Sequence, residues 1–246
     1  MKIALAGLGF ITGDIQYNKA IIEACLEEYA GRVDLIIFGE SFLQGFDALT
    51  WQYEEDAAIA ISQDSPIINE IALKAKKGHI GLSFGYFEKA EDKIFSSHMT
   101  ISDEGQILDN FRRVSTGWKP TSAGSHYVEG HGFTKFTYKG LEISLGLCGD
   151  FWNEANCLQV KEQKADLVVW PIYRDIHYQK WNAEEKYAYA EQSMQLADKV
   201  LLVNSLCLDE VEDNENMAKA GVLYFNKGKI MDELPAGQEG ILVIEI

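Results

Sequence analysis

The sequence predicts an α/β fold in which sheet packs on sheet and helices cover the outside. Three observations carry that prediction. Short apolar runs recur along the chain, stretches with helical spacing separate several of them, and a middle block strings strands together with only turns between.

The elements follow in order. Residues 2–8, KIALAGL, read as a strand. Residues 18–30, NKAIIEACLEEYA, place apolar residues at helical spacing with acids on the other face. Residues 33–40, VDLIIFGE, form a continuous apolar run and read as a buried strand. Residues 68–78, INEIALKAKKG, read as a helix stopped by its glycine. The middle block is HIGLSFGYFE (79–88), KIFSSHMTIS (93–102) and GQILDNF (105–111), broken by turn signals at KAED and DEG. Residues 133–148 read as two strands around a Lys139-Gly140 turn. ADLVVWP (165–171), a helix near 181–197, KVLLVNSL (199–206), GVLYFN and GILVIEI complete the series.

Composition narrows the function. The 246 residues are 47% hydrophobic and 24% charged, ordinary globular values, and only four prolines and no Ser/Gly-rich linker interrupt them. We expect one domain over 1–246. A net charge of −16 argues against a nucleic-acid partner, which needs clustered Lys and Arg. No run approaches the roughly 20 apolar residues of a membrane span. MKIALAGLGF is short and lacks a cleavage site after it, so a cytoplasmic protein with no membrane partner is expected. Four scattered cysteines without a C-x-x-C pair, and five histidines without an H-E-x-x-H pair, give no expectation of a metal. GLGFITG lacks the G-x-G-x-x-G spacing, and no P-loop occurs.

Three polar residues stand where apolar strands end. Glu40 follows VDLIIFG, Arg112-Arg113 follow GQILDNF, and Cys148 follows GLEISLGL. In α/β sheets functional groups gather beyond the carboxyl ends of strands. Together the three would supply a base, a positive charge for a developing oxyanion and a nucleophile. Each also has a plain reading: a solvated acid, a surface arginine pair, and a cysteine acting as a small buried hydrophobe.

The order Glu, then FRR, then LCGD resembles the nitrilase superfamily of carbon–nitrogen hydrolases. The likeness extends through DLIIFGESFLQGF, KIFSSHMTISDEGQIL, HYVEGHGFTKFTYKGLEISLGLCGD, ADLVVWPIYRD and GVLYFNKGKI, and so covers nearly the whole chain. It implies a four-layer α-β-β-α sandwich, no cofactor, a homodimer, and hydrolysis of a small linear amide. Carried onto this sequence, it makes Cys148 the nucleophile and Glu40 the group that takes its proton. Gly149 would offer a backbone N–H to the oxyanion, and a thioester would form on Cys148 before water releases the acid. Glu129, Trp152 and Tyr173 join Gly149 as candidates for the oxyanion and substrate positions.

The sequence also departs from that pattern. The family's lysine is Arg113 here, which keeps the charge but cannot give up a proton. Lys119 in GWKP is an alternative cation. A second family glutamate is missing, since counting back from Tyr127-Val128-Glu129-Gly130 reaches Ala123. The residue after the cysteine, often aromatic in the family, is Gly149, and Trp152 stands where an arginine is frequent. His177 reads as a loop residue, Arg174-Asp175 as a pair, and Trp170 and Trp181 as core or rim. Two rival readings stay open: a catalytically weak small-molecule-binding or regulatory protein, and a transferase passing the acyl group to another acceptor.

Overall fold

The structure, a computed structural model, describes residues 1–209 and 217–246. Its strands are β1 (Lys2–Gly7), β2 (Gly9–Phe10), β3 (Leu35–Ile37), β4 (Gly81–Ala90), β5 (Lys93–Ile101), β6 (Ile107–Arg112) and β7 (Lys135–Tyr138). They continue as β8 (Leu141–Leu145), β9 (Leu167–Ile172), β10 (Lys199–Asn204), β11 (Leu206–Cys207), β12 (Val222–Asn226), β13 (Lys229–Leu234) and β14 (Gly240–Glu245). The helices are α1 (Ile15–Glu28), α2 (Tyr53–Ile59), α3 (Pro66–Gly78), α4 (Glu154–Glu162), α5 (Tyr178–Lys180) and α6 (Lys186–Ser193). A π-helical turn, Trp181–Glu185, joins α5 to α6.

Two six-stranded sheets run in the orders β14-β1-β3-β4-β5-β6 and β13-β12-β10-β9-β8-β7. Each has a parallel centre: β1, β3 and β4 in the first, and β8, β9 and β10 in the second. The outer strands are antiparallel. The alternation of side chains in a strand sorts the apolar residues into layers. Ile3, Leu5, Leu35 and Ile37 of one sheet meet Ile143, Leu145, Val169 and Leu201 of the other, a dry layer between the sheets. Ala4, Ile36, Phe84 and Met99 point the other way, beneath Ile22 and Leu26 of α1 and Ile71 of α3. Val168, Trp170 and Leu202 lie beneath Cys157 and Val160 of α4 and Tyr189 of α6. The result is the α-β-β-α sandwich. Each fully buried Leu or Ile in these layers stabilises the fold by about 2 kcal/mol.

Several elements follow local chemistry closely. The Lys139-Gly140 turn has positive φ at both residues, 46° and 83°, as a two-residue hairpin turn matched to strand twist requires. Ser65 caps α3 by accepting from the Ile68 N–H, and Pro66 opens the helix. The left-handed residue that ends α3 is His79 (φ 50°), one beyond the expected Gly78. Other boundaries move. Of the 33–40 run only Leu35–Ile37 is in the sheet, and the expected 181–197 helix ends at Ser193. Helices α2 and α4 were not legible, because they run only seven and nine residues and bury few apolar side chains. No helix among the described residues is long and apolar enough to cross a membrane.

Candidate active site

The site forms where β3, β6, β8 and β9 end. After β3 the chain turns sharply through Gly39, Glu40 and Ser41, with Ser41 at φ 49°. Close approach fixes that turn. A Cβ on Gly85 of β4 would lie 2.2 Å from the Ser41 nitrogen, so only a glycine lets the two segments touch. Glu40 is fully buried there.

Cys148 lies just past β8 and opens a 3₁₀ turn, Cys148–Trp152. Its φ is 38°, a left-handed conformation that costs a non-glycine residue about 1–3 kcal/mol. The surroundings hold it there. The Trp170 indole N–H donates to the Cys148 carbonyl at 2.9 Å. Asp150, wholly buried, accepts from the Leu147 N–H at 2.9 Å, and from the Val114 and Ser115 N–H groups at 3.1 and 2.7 Å. One carboxylate thus ties the cysteine turn to the segment that follows Arg113. Burial pushes the Asp150 carboxyl up, opposed by those backbone donors.

Tyr173 bridges Glu40 and Cys148 through its main chain. Its N–H donates to Glu40 Oε2 at 3.1 Å, and its carbonyl accepts from the Cys148 thiol at 3.6 Å. Its side chain leaves the site: the phenol donates to Asp47 at 2.6 Å and the ring stacks on Phe46.

Arg113, 4% exposed, completes the cluster. Its Nη1 donates to Glu40 Oε1 at 2.8 Å, and its Nε donates to Ser115 Oγ at 2.9 Å. Ser96 adds a longer bond to Glu40 Oε1 at 3.3 Å. Burial works against the guanidinium charge, but Glu40, Cys148 and Asp150 outweigh it and hold Arg113 firmly protonated. Burial pushes the Cys148 thiol up to about 12, with Glu40 adding to the rise and Arg113 opposing it. The surroundings thus favour the protonated thiol.

The remaining candidates lie differently. The Glu129 carboxylate pairs with Lys119 at 2.7 Å, and Lys119 also donates to the Tyr127 carbonyl, so these two residues occupy each other. Trp152 is half-exposed and lines a surface groove with Cys157, Leu158 and Gln192. Trp181 and Trp170 are buried core, and Arg174 pairs loosely with Asp175 at 3.6 Å. No metal-binding cluster of His, Cys, Asp and Glu occurs among the described residues. Sequence reasoning missed Ser96, Ser115 and Asp150. Only Asp150 left a signal, an acid three residues after the residue preceding the 3₁₀ turn.

Comparison with known proteins bears on the fold and the family. Among solved structures, an amidase from Nesterenkonia sp. superposes with a TM-score of 0.79 at 17% identity, covering 100% of this chain and 90% of its own. A CN-hydrolase superfamily protein from Xanthomonas campestris gives 0.75 at 19% identity, covering 99% and 89%. At these identities the likeness is one of fold. An (R)-stereoselective amidase from Pseudomonas sp is 25% identical over 150 residues, 61% of this chain and 52% of that protein. An arylacetone-specific nitrilase from Alcaligenes faecalis is 26% identical over 181 residues, 70% of this chain and 48% of that one. The matched segments span about half the length of these two relatives. The carbon-nitrogen hydrolase family profile matches residues 2–246, from the first strand to the last, and the chain belongs to the carbon–nitrogen hydrolase family.

Proposed function

We propose that this protein is a cysteine-dependent amidase that cleaves a small linear amide through a thioester. The observation that carries the reading is the chain of contacts from the Cys148 thiol through the Tyr173 main chain to Glu40, and from Glu40 to Arg113. Glu40 takes the thiol proton as sulfur attacks the amide carbon. The Gly149 N–H lies in the first turn after the cysteine, where no earlier helical carbonyl stands to accept it, and stabilises the oxyanion. Glu40 then returns the proton to the leaving nitrogen, and the C–N bond breaks to give ammonia or an amine and a thioester. Glu40 next draws a proton from water, which attacks the thioester and frees the acid and the thiol. Neither step needs a cofactor.

The test is ammonia release from dicarboxylate mono-amides, N-carbamoyl compounds and short aliphatic amides, comparing native protein with Cys148→Ala. Release from one class, lost in the variant, is the expected result. One observation favours a second reading: Glu40 already carries the Arg113 ion pair, which restrains it as a base. On that reading the scaffold binds a small molecule without turnover, and folded protein silent on every amide would select it.

We also infer a cytoplasmic setting, with which four free cysteines are consistent, and a homodimer. Trp152, Leu158 and Met194 are exposed on the α4–α6 side of the sandwich, beside the cysteine turn, and suit a pairing face. Light scattering should report twice the 27.6 kDa chain mass, and Leu158→Glu should shift it toward one copy. A native monomer at tens of micromolar would sink this inference.

A further inference from the structure

Gly149 is glycine for a reason that its backbone does not supply. Its φ is outside the left-handed range, so any L-residue could adopt the local conformation. What it lacks is room. A Cβ placed there would lie 2.7 Å from Arg113 Nη2 and 3.2 Å from Ser115 Oγ. A flexible side-chain tip could ordinarily give way, but this one is pinned. Its Nη1 is bonded to buried Glu40, its Nε is bonded to Ser115, and Ser115 is itself held through its N–H by Asp150.

We propose that Gly149 is a positioning residue: its bare Cα is the seat that lets the Arg113 guanidinium reach Glu40 beside the thiol. The two sequence departures noted above, arginine for the family lysine and glycine after the cysteine, are then one structural fact. A planar guanidinium is wider than an ammonium, and the space for its outer nitrogen comes from the missing side chain. Seated in this way, Arg113 makes no hydrogen bond through Nη2 among the described residues, and that nitrogen lies over the cysteine turn, where its protons can meet the reacting carbonyl oxygen. Gly117 provides the contrast. A Cβ there would stand 3.5 Å from the same nitrogen, an ordinary contact, and would meet nothing else within 4 Å.

The proposal rests on the amidase reading for its effect on turnover, so the experiment has two readouts. The first is kcat and KM on the best amide. The second is the rate at which iodoacetamide alkylates Cys148 at fixed pH, which needs no turnover. Both are measured around a cycle of Gly149→Ala, Arg113→Lys and the double variant, with Gly117→Ala as control.

In the arginine background Gly149→Ala should lower kcat about 100-fold with KM changed little, because a displacement of about 1 Å in a catalytic group costs on that order. Displacing the positive charge should also slow alkylation about tenfold, since one pKa unit changes the thiolate fraction tenfold. In the Arg113→Lys background the same change should cost about threefold or less in both readouts, because no second nitrogen stands over the Cα. Gly117→Ala should match native protein. Equal losses in the two backgrounds would overturn the proposal, because the added methyl would then act on something other than Arg113. If Gly149→Ala fails to fold, the cycle is read in the yield of folded protein: recovery in the double variant supports the seat, and failure of both overturns it. A coupled alkylation cycle in a protein that turns over no amide would keep the seat and defeat the amidase reading.

Discussion

Two glutamate–arginine pairs, each on a buried carboxylate, lie side by side in this molecule and are built from neighbouring residues. Arg112 and Arg113 are consecutive, as are Ser97 and Ser96, and the alternation of the strands sends one set to Glu88 and the other to Glu40. Glu88 is saturated. Arg112 grips it with Nε and Nη2 at 2.8 and 2.6 Å, and Gln63, Ser97 and Asn110 donate at 2.7, 2.7 and 2.9 Å. Arg112 also stacks over the Phe95 ring. Glu40 receives one guanidinium nitrogen, one backbone N–H and one long hydroxyl bond, and a half-buried thiol shares its Tyr173 contact. A carboxylate whose lone pairs are all taken cannot accept a proton without breaking the structure, whereas one with capacity to spare can. The first pair is architecture, and the second keeps the capacity to accept a proton that the proposed amidase reading requires.

Removing each carboxylate charge in turn should split the pairs most widely. Glu40→Gln is expected to cut amide turnover by about 10³-fold or more, the scale on which a general base contributes, and to cost about 3–5 kcal/mol of stability because the buried Arg113 loses its partner. Glu88→Gln should lower stability but spare turnover. It leaves Arg112 without its carboxylate and should cost about 2–3 kcal/mol in urea denaturation, less than the roughly 3–5 kcal/mol of a fully buried broken pair because Arg112 is one-third exposed. Turnover per folded molecule should fall by less than about threefold, well short of the loss a missing base brings. Arg112→Lys, which loses the two-pronged grip, should lie between native and Glu88→Gln in stability. Equal loss of activity from the two glutamate changes would erase the distinction drawn here.

The comparison also marks what was legible in advance. Glu40, Arg113 and Cys148 stand at strand ends, and strand ends are visible because apolar runs stop. The sandwich was legible for the same reason, and the Lys139-Gly140 turn because its chemistry is local. The groups that gather around those three were not. Tyr173 contributes its N–H and carbonyl, which every non-proline residue possesses, while its ring, the part the sequence advertises, packs on Phe46. Ser96 and Ser115 are ordinary serines until the strands bring them to Glu40 and Arg113. Glu129 and Trp152 lie in loops and turns, where no periodicity sets the direction of a side chain. The former faces Lys119, and the latter faces an outer groove.

The smallest expected effect separates the saturated pair from a third buried group by pH. His98 is wholly enclosed, bonded through Nε2 to Ser83 at 2.9 Å, and burial pushes its pKa down to about 3. In the unfolded chain a histidine takes a proton near 6.5, so folding excludes that proton. Stability from this group is complete above about pH 6.5 and is lost as pH falls from there toward 3, with a slope of about 1.4 kcal/mol per pH unit. For Glu88 burial opposes the charge, but hydrogen bonds from Arg112, Gln63 and Ser97 prevail and hold its carboxyl below the ordinary range. Its contribution is present above the unfolded value of 4.5 and fades only as pH drops through the depressed one. Between pH 6 and 5 the histidine should therefore act without the pair. Urea midpoints in that interval should fall in native protein and stay level in His98→Gln, while Glu88→Gln should keep the native slope there and lose slope only below pH 4.5. A His98→Gln protein that kept the native slope between pH 6 and 5 would show that histidine protonation is not what weakens the fold in mild acid.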